Sequence, residues 1–304
     1  MKNGLKVVIK YIKIYLVKIL RKVKHLLFVK PKSFISKVIR KLKRDYNKSY
    51  TLDMVVEEYF KNRNGLEVGG PSDFFEKRGF LPIYQQVKVL DGVNYSSSTI
   101  WTGEIDMEKG YIVEGCKVGK QYISDAVDMS PLKGKKYDFV LSCFMIEHIA
   151  NPLKAIEKWL SVLKPGGVLL IVAPNKELNF DHKRETNTFA HLLADYRSNT
   201  GEDDLTHLDE IMELHDLGQD PLAGSREQFY ERSLKNHENR CLHHHIFDMK
   251  LLEEIYDFFN LTILQQVHVG YGFLIIGRKE KMSKYLYNKI CKLCSGKTSS
   301  SPGK

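Results

Sequence analysis

Residues 137–173, YDFVLSCFMIEHIANPLKAIEKWLSVLKPGGVLLIVA, decide the fold of this chain. Tyr137 to Ser142 is a short, nearly continuous apolar run, and Val168 to Ala173 is a second. Between them Leu153, Ile156, Trp159, Leu160 and Leu163 recur at helical spacing from Pro152 onward. Strand, helix, strand in that order predicts two parallel strands joined by a covering helix, because runs this apolar belong to strands buried on both faces.

Working outward in both directions extends the pattern. Leu66-Glu67-Val68 is a short strand running into Gly69-Gly70-Pro71, with a helical stretch expected near Ser72 to Arg78. Val87 to Leu90 predicts a second strand ending at Asp91, and Tyr122 to Ser124 a third ending at Asp125. Late in the chain, Asp248 to Phe259 predicts an amphipathic helix. Leu261–Val267 and Gly272–Gly277 then read as two strands joined by a short Gly-containing turn. The expected architecture is α/β, a doubly wound, mostly parallel seven-stranded sheet of Rossmann-like form, closed by an antiparallel edge hairpin. Ligands of such sheets bind beyond the carboxyl ends of the strands, where the Gly and Asp residues stand.

Taken together, these segments resemble the class I S-adenosylmethionine-dependent methyltransferases. The likeness covers most of 64–174 and the closing elements at 246–278. It rests on Gly65-Leu66-Glu67-Val68-Gly69-Gly70, on Ile123-Ser124-Asp125-Ala126, and above all on YDFV, then Glu147-His148, then Leu163-Lys164-Pro165-Gly166-Gly167 before an apolar strand. The resemblance implies S-adenosylmethionine as cofactor. It also implies contacts at Glu67, Gly69, Gly70, Ser72, Asp91, Asp125, Ala126 and Cys143, with Asp91 at the ribose hydroxyls and Asp125 at the adenine amine. Pro71 and Asp73 occupy places where the family carries its second and third glycines. Proline has no N–H to offer there, and Ser72 is expected to compensate through its hydroxyl or backbone.

The formal net charge of +10 is unevenly spread. Residues 1–44 hold 15 Lys or Arg and no acidic residue, and residues 278–304 hold 8 basic residues against Glu280 alone, so the body between them is acidic by 12 charges. Between Val7 and Val29 the lysines and arginines fall mainly on one helical stripe, opposite Val8, Ile12, Leu16, Ile19, Val23 and Leu27. That pattern suits a helix lying in an anionic membrane interface. A targeting peptide, a nucleic-acid arm and a packing helix are the competing readings. No run approaches the ~20 apolar residues of a bilayer span. The expected organisation is a basic arm over 1–45, a catalytic domain over 50–278 and a basic tail over 279–304. Five cysteines without framework spacing suit a reducing compartment, so the chain is expected in the cytoplasm, peripheral at the membrane.

The ~70-residue segment 175–245 interrupts the sheet before its last helix. It is expected to fold as a helical lid defining the acceptor site, since loops of this length are usually functional or disordered. It holds eight of the chain's eleven histidines. His148, with Glu147 beside it, is the leading candidate for a general base, followed by His182 and His215. No metal is expected. Cys291 and Cys294 form a lone C-x-x-C, whereas zinc takes about four ligands. His207 and His215, placed on one helix spanning 204–216, stand ~80° apart over two turns. The expected activity is methylation of an oxygen on a small-molecule, sugar or lipid-linked acceptor. A non-catalytic binding protein on the same fold and an RNA methyltransferase are the alternatives, with nucleic acid the weaker partner. Ser142-Cys143-Phe144-Met145 stands where an amide-clamping Asn-Pro-Pro-Tyr motif would mark a nucleobase or glutamine acceptor.

Overall fold

The computed structural model describes residues 51–280. The basic arm, and the tail with Cys291 and Cys294, lie outside them. In chain order the elements are helix α1 (Leu52–Tyr59), strands β1 (Asn64–Val68) and β2 (Val89–Asn94), and the small hairpins β3 (Ser98–Thr99) with β4 (Gly103–Glu104) and β5 (Tyr111–Val113) with β6 (Cys116–Gly119). Next come β7 (Gln121–Ile123), β8 (Tyr137–Cys143), helix α2 (Pro152–Val162) and β9 (Leu163–Pro174). Helices α3 (Phe189–Ser198), α4 (Leu208–Leu214), α5 (Arg226–Leu234) and α6 (Asn236–Asn239) follow, and then α7 (Met249–Phe258), β10 (Leu261–His268) and β11 (Gly272–Lys279).

Seven strands form one sheet in the order β10-β11-β9-β8-β1-β2-β7. β7, β2, β1, β8 and β9 are parallel, whereas β11 runs antiparallel to both β9 and β10. The chain winds outward from β1 to β2 and β7, then returns to build β8 and β9 on the other side of β1. The crevice at that reversal is where a ligand fits.

Alternation along the central strands divides the core into two layers. Val140, Leu169, Ile171 and Ile275 face α2, α3 and α7, while Phe139, Leu141, Leu170 and Leu274 face α1 and the segment after β1. Helix α2 begins where the sequence asks it to, with Pro152 in its first turn and the Asn151 side chain accepting from the Lys154 N–H at 3.1 Å. Its Trp159 is fully buried, worth roughly 1.5–3 kcal/mol for a large apolar side chain. The Trp159 indole N–H also donates to the Ala126 carbonyl at 3.0 Å, so core packing fixes the segment after β7.

Two expectations about the crossovers change. The helix expected near Ser72 to Arg78 is a single 3₁₀ turn, Asp73–Phe75. That segment covers the sheet instead with Phe74, Phe75, Leu81, Ile83 and Tyr84, all buried. The second strand does not end at Asp91 but runs to Asn94, because Asp91 pairs with Leu66 in mid-strand. The connection from β2 to β7 is made of two hairpins and carries no helix.

Candidate active site

A cleft of about 450 Å³ opens at the carboxyl ends of β1, β2 and β8. Its floor is Val68 from β1 with Gly69 just after it, Val93 and Asn94 from β2, and Cys143 from β8; Ser124, Asp125 and Ala126 after β7 form one side. Gly69 has φ 86°, and a Cβ there would lie 2.5 Å from Met145 Cγ, so conformation and packing both demand glycine. Its N–H donates to the Val93 carbonyl, and the Asn94 amide donates to the Gly70 carbonyl, knitting the loop to β2.

Glu67 does not line the cleft. It is fully buried beneath the loop, where the hydroxyls of Tyr84 and Tyr111 each donate to it at 2.8 Å. Burial pushes its carboxyl up to about 7 even against those donors. The Tyr84 hydroxyl in turn accepts the Ser72 N–H at 2.7 Å. Glu67 thus supports the loop through Tyr84. It also leaves the Ser72 backbone donor committed, so only the Ser72 hydroxyl remains for the compensating role expected from the sequence. Pro71, Ser72 and Asp73 all border the cleft.

Asp91 is not among the lining residues. It is 5% exposed, and its two oxygens accept from the Lys120 N–H at 2.9 Å, the Tyr137 hydroxyl at 2.7 Å and the Lys135 ammonium at 3.3 Å. The tyrosine of the YDFV segment therefore anchors Asp91 within the sheet. Asn94, three residues on, reaches the cleft instead. Asp125 and Ala126 do line it, as does Cys143, whose thiol burial pushes well up. Asp125 pairs with Arg240 at 2.8 Å, and Arg240 also reaches Glu202 at 3.0 Å. Both partners come from the long insertion, which thereby contributes one wall.

A second cavity, of about 350 Å³, adjoins the first. The two share Trp101, Phe144, His148 and Tyr271. Phe144 turns the chain off β8 in the left-handed conformation, φ 48°, a cost tolerated mostly at functional sites. His148 follows in a 3₁₀ turn, with Nδ1 3.1 Å from the Leu242 carbonyl. A carbonyl only accepts, so Nδ1 carries the proton and a neutral His148 keeps its lone pair on Nε2. Burial first, and the neighbouring His243 second, hold the pKa of His148 well below the usual imidazole range. His243 sits edge-on to it at 4.5 Å and hydrogen-bonds the Asp181 carboxylate. Burial opposes charge on His243, but Asp181 and Glu147 overcome it and raise its pKa. Burial likewise works against the Asp181 carboxylate, but His243 and Arg184 draw it down to about 2. Glu147 lines the second cavity and is pushed up to about 7 by burial.

His182 and His215 reach neither cavity. His182 caps its own turn against the Asn179 carbonyl at 3.2 Å, and His215 lies between the rings of Phe180 and Phe229 with Nε2 3.2 Å from Asp220. Helix α4 begins only at Leu208, with His207 and His215 at its two ends. Trp101 is half exposed and stands 5.0 Å from the His148 ring. Trp101, Arg240, His243 and Tyr271 all carry weight here, and spacing along the chain gave no sign of them.

The methyltransferase domain family matches residues 50–266, more than two thirds of the chain. The chain belongs to that family. This methyltransferase uses S-adenosylmethionine, and the cleft suits it: the volume is in the range of cofactor pockets, the loop at Gly69 allows close backbone approach, and Asp125 offers a carboxylate beside the apolar Ala126 and Ile149. No curated protein matches the methyltransferase by sequence. Among solved structures, it is similar to the N-methyltransferase NodS from Bradyrhizobium japonicum WM9 (12% identity over 79% of this chain and 97% of that one, TM-score 0.41). It is also similar to a SAM-dependent methyltransferase from Aquifex aeolicus (15%, 80% and 97%, TM-score 0.40) and an O-methyltransferase family protein from Burkholderia thailandensis (13%, 79% and 60%, TM-score 0.40). The strand order and the matched family, not these distant likenesses, carry the assignment.

Proposed function

We propose that this methyltransferase methylates a hydroxyl of a small-molecule, sugar or lipid-linked acceptor, working against an anionic membrane surface through residues 1–44. The observation that carries the oxygen acceptor is His148. It stands on the wall common to both cavities, neutral, with Nδ1 tied to the Leu242 carbonyl and Nε2 left to take a proton. The cofactor supplies an electrophilic methyl group when bound. Gly69, Ser72, Asn94, Asp125, Ala126 and Cys143 would hold it in the first cavity, with Gly70 in the loop behind them, and the acceptor would occupy the second. There His148 removes the hydroxyl proton as the oxygen becomes nucleophilic, and His243, hydrogen-bonded to Asp181, lines the same cavity.

The second cavity is rimmed by exposed Ile100, Trp101, Leu178, Leu222 and Tyr271, an apolar rim that suits an acceptor with a ring or acyl face. No described helix is long and apolar enough to cross a membrane. The arm's amphipathic stripe is the support for a surface location, on the cytoplasmic side given the cysteine usage.

The test uses the full chain. Calorimetry should register S-adenosylmethionine binding, and radiolabelled methyl should pass to small-molecule or lipid extracts as an alkali-stable ether. His148→Asn, which keeps a donor for Leu242, should lower turnover by about 10²–10⁴-fold with cofactor affinity retained. Full turnover in that variant, or label found only on nitrogen or in RNA, refutes the oxygen assignment. Equal liposome flotation with and without residues 1–44 refutes the membrane role.

A further inference from the structure

Away from both cavities, three histidines distant in sequence converge. His191 lies on α3, His207 caps the start of α4, and His245 precedes α7. One ring nitrogen from each lies within 4.8 Å of the other two. His191 Nε2 is 3.0 Å from His207 Nε2. Asp195, one turn along α3, brings Oδ2 to 3.3 Å from His191 Nε2 and 3.1 Å from His245 Nε2. Four ligands at the ~2.0–2.1 Å of a zinc site stand about 3.4 Å apart at the corners of a tetrahedron.

Two of the outer nitrogens face acceptors. His245 Nδ1 lies 3.2 Å from the Ile149 carbonyl, and His207 Nδ1 lies 3.6 Å from the Glu210 carboxylate, which Arg184 holds in place. A carbonyl or carboxylate on the far nitrogen is how ligating histidines are oriented. It also leaves too few hydrogens inside the cluster. With a neutral His245 whose proton points outward at Ile149, its Nε2 has no hydrogen for the Asp195 carboxylate. Two short contacts bring these groups together: His191 Nε2 to His207 Nε2 at 3.0 Å, and His245 Nε2 to Asp195 at 3.1 Å. A cation at the centre satisfies both together.

We propose that His191, His207, His245 and Asp195 bind a divalent transition ion, Zn²⁺ by the chemistry of three imidazoles and a carboxylate. The three histidine nitrogens lie within 4.8 Å of one another and Asp195 flanks two of them, so the protein supplies the ligands and the role is structural. It fastens the insertion to the turn after β8, since His245 grips Ile149 and its neighbour His244 donates its N–H to the Glu147 carbonyl at 2.8 Å. The ion holds the turn that carries His148 without touching substrate or cofactor, and it is independent of which acceptor is methylated.

The experiment is metal binding by the full chain, stripped with chelator and titrated with Zn²⁺ or Co²⁺. The expected result is one tight equivalent, a Co²⁺ visible spectrum typical of four-coordination, and a higher melting temperature with Zn²⁺. His191→Gln and His207→Gln, at partly exposed positions, should each weaken binding by about 100-fold or more, and Glu210→Gln by about 10–100-fold as an outer partner. His237→Gln and His243→Gln should bind as the parent does. Circular dichroism without metal identifies any variant that fails to fold, and Asp195→Asn then serves as the second test. No tight equivalent in the parent chain overturns the proposal. So does undiminished binding in His191→Gln and His207→Gln, or loss confined to His243→Gln, which would move the ion to the Glu147–His148–His243 group.

Discussion

Replacing Glu67 with glutamine should remove a fall in stability that the parent chain suffers between pH 4.5 and 7. The carboxyl sits fully buried under the loop that follows β1, and burial raises its pKa from the ordinary 4.5 to about 7 despite the two tyrosine donors. The folded state therefore keeps this proton where the unfolded state has lost it. Stability from that proton is complete below pH 4.5, declines as pH rises, and is gone above pH 7. At 1.36 kcal/mol per pH decade the gap is worth about 3 kcal/mol. Glutamine has nearly the same shape and never ionises. Glu147, also raised to about 7, contributes equally to both proteins and cancels in the comparison. Thermal unfolding at half-unit steps from pH 4.5 to 7.5 reads the effect. The Glu67→Gln variant should gain on the parent by about 3 kcal/mol across that range, or roughly 6–12 °C for a domain of this size. Parallel pH profiles would refute the buried-carboxyl reasoning, and a parent that loses stability toward acid relative to the variant would reverse its sign.

Gly69→Ala places a side chain at φ 86° and 2.5 Å from Met145 Cγ. It should cost about 1–2 kcal/mol or more and weaken S-adenosylmethionine binding by at least about tenfold, since 1.4 kcal/mol is tenfold in affinity. Calorimetry checks this, and unchanged affinity counts against the loop as the cofactor's cradle. Asp91→Asn separates the two readings of that residue. Its partners are Lys120, Tyr137 and Lys135, so the variant should lose about 1–3 kcal/mol of stability with cofactor affinity nearly unchanged. A large loss of affinity at constant melting temperature would return Asp91 to the ribose.

The sheet was legible because its central strands need no information from elsewhere. Tyr137–Ser142 and Val168–Ala173 are buried on both faces, and a continuous apolar run around a 3.6-period helix has few other solutions. The Asp125-Ala126 segment was legible for the same reason, since it lies at a strand end that periodicity locates to within a residue or two. The end of β2 was misplaced by three residues and lies at Asn94 rather than Asp91. A three-residue extension of β2 turns a strand-end carboxylate into one sealed by Tyr137, and only the register against β1 decides which it is.

The insertion marks the other limit. A spacing argument tests histidines along one helix, as with His207 and His215, and those two cap opposite ends of α4. The group that does form, His191 with His207 and His245, is assembled by separate segments folding back on the turn after β8. Trp101 and Arg240 likewise reach the cleft from segments that share no period with the sheet. The sequence alone therefore determined the α/β sheet, its cofactor edge and the His148 turn, because local periodicity and strand ends encode them. The tertiary structure alone decided which side chains line the second cavity and which histidines meet, because those contacts depend on chain reversals that leave no periodic trace.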